Sequence, residues 1–274
     1  MAPSRAIPSR TRRTLATIAV LALLVAGCGP APSASVAAPL ELTVYAAASL
    51  KGALEEVAPA YALQAPAVTL IVSTGASSSL RTQIEQGAPA DMFLSADTEQ
   101  PTALVDGGLA AGDARAFTGN ELTIIRPVDA SRIAEPVDLA DPGVKIIAAG
   151  EAVPITDYAN QVVANLAALD GYPAGYADAY AANVVSREDD VKAVVAKIQL
   201  GEGDAAIVYR TDALAADAIA VIEIPDTANV QARYAGVVIA SSAHAAEAAA
   251  FLDWLIGPEG QTILAASGFT VSLR

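Results

Sequence analysis

Leu42-Thr43-Val44-Tyr45-Ala46-Ala47-Ala48-Ser49 is a short apolar run that ends on a serine, and an Ala-rich stretch of helical character, 50–64, follows directly. A run of this kind predicts a β-strand that delivers the chain to a helix N-terminus. The unit recurs. Val72-Ser73-Thr74-Gly75-Ala76-Ser77-Ser78-Ser79 closes the strand expected at 68–74 before a helix at 78–86. Ala206-Ile207-Val208-Tyr209 closes another at 205–209 before a helix at 211–216. Working outward, strands are expected at 91–96, 121–126, 144–149, 183–186, 220–224 and 234–240, and helices at 100–106, 157–169, 190–200, 244–256 and 259–266. Gly87-Ala88-Pro89 and Gly257-Pro258 supply helix stops. Strands and helices in alternation, with strands apolar almost throughout, predict an α/β protein whose mostly parallel sheets are flanked by helices.

The start of the chain reads differently. Arg5, Arg10, Arg12 and Arg13 precede an apolar run at 15–26, and Val25-Ala26-Gly27-Cys28 follows. Basic, apolar, then small residues is the order of a secretory signal, here expected at 1–27. The run is shorter than the about 20 residues of a membrane span. Small residues leading into Cys28 form the bacterial lipoprotein pattern, with the thiol acylated and the product held at the outer face of the cell membrane. Export by the general or the twin-arginine route both remain open. Cys28 is the sole cysteine, which excludes a disulfide framework. Residues 28–39, rich in Pro, Ala and Ser and uncharged, read as a flexible tether. The 16 basic residues less the four signal arginines leave 12 against 30 acidic ones, so the mature chain carries −18. That balance argues against nucleic acid and anionic membrane surfaces as partners.

In open α/β sheets, ligands sit beyond the carboxyl ends of the strands, where helix N-termini point. A serine at such a junction ordinarily caps the helix. Two Ser-bearing junctions and a tyrosine at the ends of separate strands point to a shared site, although they leave its ligand open.

Val44-Tyr45-Ala46-Ala47-Ala48-Ser49-Leu50, Ser77-Ser78-Ser79-Leu80 and Gly87-Ala88-Pro89-Ala90-Asp91-Met92-Phe93-Leu94-Ser95-Ala96-Asp97 appear in that order. They are followed by Gly119-Asn120-Glu121-Leu122, Glu188-Asp189-Asp190-Val191 and Ile207-Val208-Tyr209-Arg210-Thr211-Asp212. The ordered set resembles the molybdate/tungstate-binding proteins of bacterial ABC importers along essentially the whole mature chain. The resemblance implies a two-lobed, type II periplasmic-binding-protein-like fold with the ligand in the cleft between lobes. Lobe one would comprise 40–121 plus 232–274, and lobe two 122–231. It also implies the oxyanion contacts: Ser49 and Ser77, each through hydroxyl and amide, the amides of Ile155 and Val191, and the Tyr209 hydroxyl. Family members usually carry small residues after the proline equivalent to Pro154, so Ile155-Thr156 departs from the pattern. The implied partners are the oxyanion, an ABC permease with its ATPase, and the membrane through Cys28. The chain would act as a monomer without a cofactor.

The implied donors suit such a ligand. A dianion leaving water must find a donor for every oxygen. Uncharged hydroxyls and amides supply them, and bonds to a charged partner contribute roughly 1.5–3 kcal/mol each. Helix N-termini add positive potential that acts locally, whereas surface carboxylates are screened beyond roughly 8–10 Å. A site with donors alone disfavours protonated phosphate, and shorter sulfate cannot reach every donor. Glu188 and Asp189 are expected to favour a helix N-terminus and to face solvent.

A solute-binding lipoprotein for sulfate, phosphate or ferric iron is the alternative. Iron would want paired tyrosines with His or carboxylate. Tyr158, Tyr172, Tyr176 and Tyr180 include no adjacent pair, and His244, the only histidine, is expected at the surface. An enzyme would need a base beside Ser77, and no Gly-x-Ser-x-Gly elbow or phosphate loop is present.

Overall fold

The computed structural model describes residues 40–130 and 132–271. Cys28, the expected signal at 1–27 and the tether at 28–39 lie outside the described residues. From the first strand the chain builds β1 (Leu40–Ala47), a 3-10 turn Ala48–Leu50, α1 (Lys51–Gln64), β2 (Val68–Gly75), α2 (Ser77–Glu85), β3 (Met92–Ser95) and α3 (Glu99–Asp106). A long strand, β4 (Arg115–Pro127), leads to β5 (Ile146–Ala149), α4 (Pro154–Ala167), α5 (Tyr176–Ala182), β6 (Val184–Glu188) and α6 (Val191–Gln199). Then come β7 (Ala206–Tyr209), α7 (Arg210–Leu214), β8 (Ile219–Ile222), β9 (Gln231–Val238), α8 (Ala245–Ile256), α9 (Pro258–Ala266) and β10 (Thr270–Val271).

The fold is two-lobed, and β4 is the reason. Its first half pairs antiparallel with β9, and Thr118 and Gly119 also pair with β10. From Leu122 onward its partners are β7 and β8, again antiparallel. One lobe carries the order β10-β4-β9-β3-β1-β2. The other gathers β7 and β8 on the far half of β4, with the parallel pair β5–β6 joined to it by a bridge between Ile146 and Ala205.

The parallel order expected from alternation holds for β1 with β2 and β3 and for β5 with β6. The crossing strands β4 and β9 run antiparallel to their neighbours, so the sheet is mixed. β4 is also longer than the strand expected at 121–126. Its first half, Arg115–Asn120, lies on β9 and carries the buried Phe117, Thr118 and Asn120, a stretch too polar to read as a strand. Gly119 is required there by close approach, since a Cβ would stand 2.5 Å from Thr270 Oγ1 and 3.1 Å from the Ala232 carbonyl oxygen.

The helix α5 was not expected. Its tyrosines are structural: Tyr176 Oη donates to the Pro136 carbonyl at 2.6 Å, and the rings of Tyr172 and Tyr176 meet edge to face at 4.9 Å. Burial pushes the Tyr180 phenol up to about 12. His244 is half-buried at the start of α8 and not fully at the surface.

Candidate functional site

Each residue implied for the oxyanion site follows the carboxyl end of a strand. Ser49 follows β1, Ser77 follows β2, Ile155 follows β5, Val191 follows β6, and Tyr209 ends β7. The fold brings all five to the wall of one hollow between the lobes. All are nearly inaccessible, with Tyr209 only 2% exposed. The hollow leaves about 10 Å³ of room, roughly one water-sized sphere. Sites for drug-sized molecules hold about 300–1,000 Å³, so nothing of that size enters without the walls parting. A roomier cavity of about 190 Å³ lies behind Ile155 within the second lobe, and none of the other four residues reaches it.

Neither serine caps a helix. The N-cap of α2 is Ala76, with no side-chain bond to the helix, and the turn after β1 is entered through Ala47 in the same way. The hydroxyls are held by other groups. Ser77 Oγ accepts from the Ala96 N–H at 3.1 Å, and Ser49 Oγ lies 2.8 Å from Tyr234 Oη. A hydroxyl oxygen that accepts from an N–H keeps its own proton to give. Ser77 is thereby a donor.

The second lobe supplies helix ends and a phenol. Pro154 opens α4 and places Ile155 at its second position, while Val191 opens α6. Amides there have no partner within their own helix and face outward. Ile155 and Thr156 occupy the place of smaller residues without distorting this end. Thr156 Oγ1 donates to the Ala149 and Gly150 carbonyls at 3.1 and 2.9 Å, and the Ile155 side chain is in the core. Tyr209 is the outlier. Its Oη is buried without a hydrogen-bond partner among the described residues. Burial, with the nearby Tyr234 phenol and others adding, holds its proton well above the usual phenol range. It is an uncompensated donor, a state that costs roughly 1–3 kcal/mol.

The charges around the hollow are turned away from it. Asp190 is the only charged residue in its wall, and its carboxylate accepts from the Ala193 N–H at 3.0 Å as the cap of α6. Of the two carboxylates expected to face solvent beside this helix end, Asp189 is exposed and Glu188 is half-buried. Glu188 instead bonds Ser186 Oγ and pairs with Lys197 Nζ at 3.0 Å. Burial pushes its carboxyl up, but the Ser186 hydroxyl and Lys197 together outweigh this and hold it below the usual range. Lys192, next to Val191, sits 2.8 Å from the buried Asp212.

Three contributors were missed from sequence. Ala96 acts through its backbone, which no residue pattern marks. Asn120 and Tyr234 lie behind Ser49 on β4 and β9. Asn120 stands inside a quoted motif but carried no role, and Tyr234 read only as a strand residue. Asp190 was legible as an N-cap, being an aspartate directly before an apolar helical stretch.

Donors gathered from two lobes around one small hollow are the arrangement of an extracellular solute-binding protein. Residues 42–270 match the family model described as bacterial extracellular solute-binding protein, and the chain belongs to that family. The molybdate-binding protein ModA of Mycobacterium tuberculosis is 32% identical over 265 residues, spanning 93% of this chain and 97% of the relative. A putative ABC transporter substrate-binding lipoprotein, YvgL of Bacillus subtilis, is 29% identical over 90% of this chain and 94% of its own length. Among solved structures, the substrate-binding domain of a putative molybdenum ABC transporter from Clostridium difficile shares 33% identity with a TM-score of 0.64. That likeness covers 85% of this chain and 100% of that domain.

Proposed function

We propose that this chain captures molybdate, or the similarly sized tungstate, and delivers it to an ABC permease and its ATPase. The observation that carries the reading is Tyr209 Oη, a buried donor without an acceptor, in the same hollow as two serines and two free helix ends. A tetrahedral dianion gives all of them partners at once. The names of the M. tuberculosis and C. difficile relatives point the same way.

The division of labour follows from β4. We assign lobe one to 40–121 plus 232–274 and lobe two to 122–231, a division that the change of partner at Leu122 and the start of β9 at Gln231 support. Ser49 and Ser77 belong to the first lobe, and Ile155, Val191 and Tyr209 to the second. Solute binds to one set and hinge closure brings the other, so the ligand stabilises the closed form. Lipid on Cys28 keeps the monomeric protein beside its permease, a reading that the name of the B. subtilis relative supports.

A thermal-shift and calorimetry panel of molybdate, tungstate, sulfate, phosphate and ferric citrate on the mature chain tests the assignment. Molybdate and tungstate raise the midpoint by mass action. A shift with ferric citrate alone, or with no oxyanion, overturns it.

A further inference from the structure

Ser49 and Ser77 stand at matching junctions, yet only Ser77 is held by a group that has no choice of direction. A backbone N–H donates and nothing else, so the Ser77 hydroxyl keeps its proton for the hollow. Ser49 Oγ meets another hydroxyl, Tyr234 Oη at 2.8 Å, and either oxygen could supply the proton of that bond.

The neighbours favour one direction. Asn120 Nδ2 donates to Thr211 Oγ1 at 2.8 Å and, at a longer 3.4 Å, to Tyr234 Oη. An amide NH2 has protons to give and no lone pair to receive one, so Tyr234 Oη is an acceptor toward Asn120. Among the described residues the other partner of that phenol is Ser49. If Ser49 donated to it, the phenol would accept twice and bury its own proton without a partner, at the full desolvation cost of a lost bond. Tyr234 is 0% exposed, and its ring is enclosed by those of Phe269, Tyr209 and Phe117 at 5.4, 5.7 and 6.2 Å between centroids.

We infer that Tyr234, oriented by Asn120, is a specificity-determining positioning residue: it donates to Ser49 Oγ, commits the Ser49 proton to the hollow, and so denies oxyanions that carry a proton an acceptor at Ser49. A free hydroxyl accepts as readily as it donates. An unlocked Ser49 would accept the proton of hydrogen phosphate, whereas a locked one meets it donor to donor. The inference rests on the oxyanion reading and adds to it a reason for selectivity in residues that touch no solute.

Calorimetry at pH 7 on the wild type and Tyr234→Phe, with molybdate and with inorganic phosphate, tests it. The phenylalanine keeps the ring and its enclosure and removes only the lock. Molybdate binding should weaken about threefold, since the unlocked hydroxyl still donates and only its fixed orientation is lost. Phosphate should weaken less or bind more tightly, so that the preference for molybdate narrows. Damage to packing alone would weaken both equally, and an unchanged preference overturns the inference. Molybdate binding that is unchanged or tighter overturns it too, because the Ser49 proton would then have been spent on Tyr234. Asn120→Ala, which removes the amide that sets the phenol, should narrow the preference in the same direction, and an unaltered ratio there also counts against the lock. A wild type that binds no oxyanion brings down the proposed function and the lock together. A wild type that binds molybdate beside an unaltered Tyr234→Phe brings down the lock alone.

Discussion

The junctions after β1 and β2 use the same residue in the same place and secure it by different means. Ser77 leans on the main chain of Ala96, only 19 residues away, and that contact needs just β2 and β3 set on either side of β1. Ser49 leans on Tyr234, 185 residues away, and through it on Asn120 and Thr211. One serine is fixed by local backbone, and the other by a chain of side chains that assembles only when β9, β4 and α7 have come together. Equivalent positions in a sheet therefore do not carry equivalent risk from mutation.

Ser77→Ala should have the largest effect. It removes a bond to a charged solute, a loss of about 2–3 kcal/mol in affinity, and leaves the buried Ala96 N–H without its acceptor. Calorimetry with molybdate and a melting curve of the ligand-free protein should both register it. A normal affinity would remove Ser77 from the site. Ser49→Ala should cost about 2 kcal/mol of affinity and also lower the melting point of the ligand-free protein, because it strands the buried Tyr234 proton. A melting point at the wild-type value would mean that the phenol has another acceptor, and would break the contrast drawn above.

Tyr209→Phe comes next, at about 1.5 kcal/mol of affinity. Since its hydroxyl is unsatisfied without ligand, the empty protein should melt no lower than the wild type. A clear drop would mean that the hydroxyl has a partner inside the protein. The smallest effect belongs to the Ser77 side. Asp97, one residue beyond Ala96, has its carboxyl raised, mainly by burial and slightly by Asp157 across the cleft, against bonds from Gln100 and Ser95 that lower it. A raised carboxyl takes up its proton while the pH is still above the ordinary carboxylate range, and its charge is complete only above the raised value. Asp97→Asn should therefore bind molybdate about twofold to threefold more tightly at pH 7, in keeping with roughly 0.5 kcal/mol of screened repulsion. That advantage should fade as the pH falls through the raised range. A constant advantage at every pH would rule out the charge as its source.

Much of this was legible in advance, and the part that was not has a common cause. The run from Leu42 to Ser49 and the ones ending at Ser77 and Tyr209 announced strands, helix starts and a shared site, because hydrophobic period and polar punctuation are local properties. The hydroxyls' partners were not readable. Ordinary capping was the expected role for a serine before a helix, and here the helix ends are left bare for something else. Tyr234 and Ala96 could be found only once distant strands were laid side by side. The antiparallel crossings of β4 and β9 escaped for the same reason, since strand direction is settled by which lobe the chain enters next. Thr156 was legible as a departure but not as a remedy, for its bonds to the Ala149 and Gly150 carbonyls depend on a turn that the sequence does not display.

The two phenols beside the hollow, Tyr209 and Tyr234, are both held far on the protonated side, mainly by burial, and amides and serine hydroxyls do not titrate in the biological range. Among the contact groups themselves, acidity finds no handle. Souring of the surroundings would loosen the catch chiefly by changing the cargo, once the metal oxide gains a proton of its own, so the scavenger's working limit is written in the chemistry of what it carries.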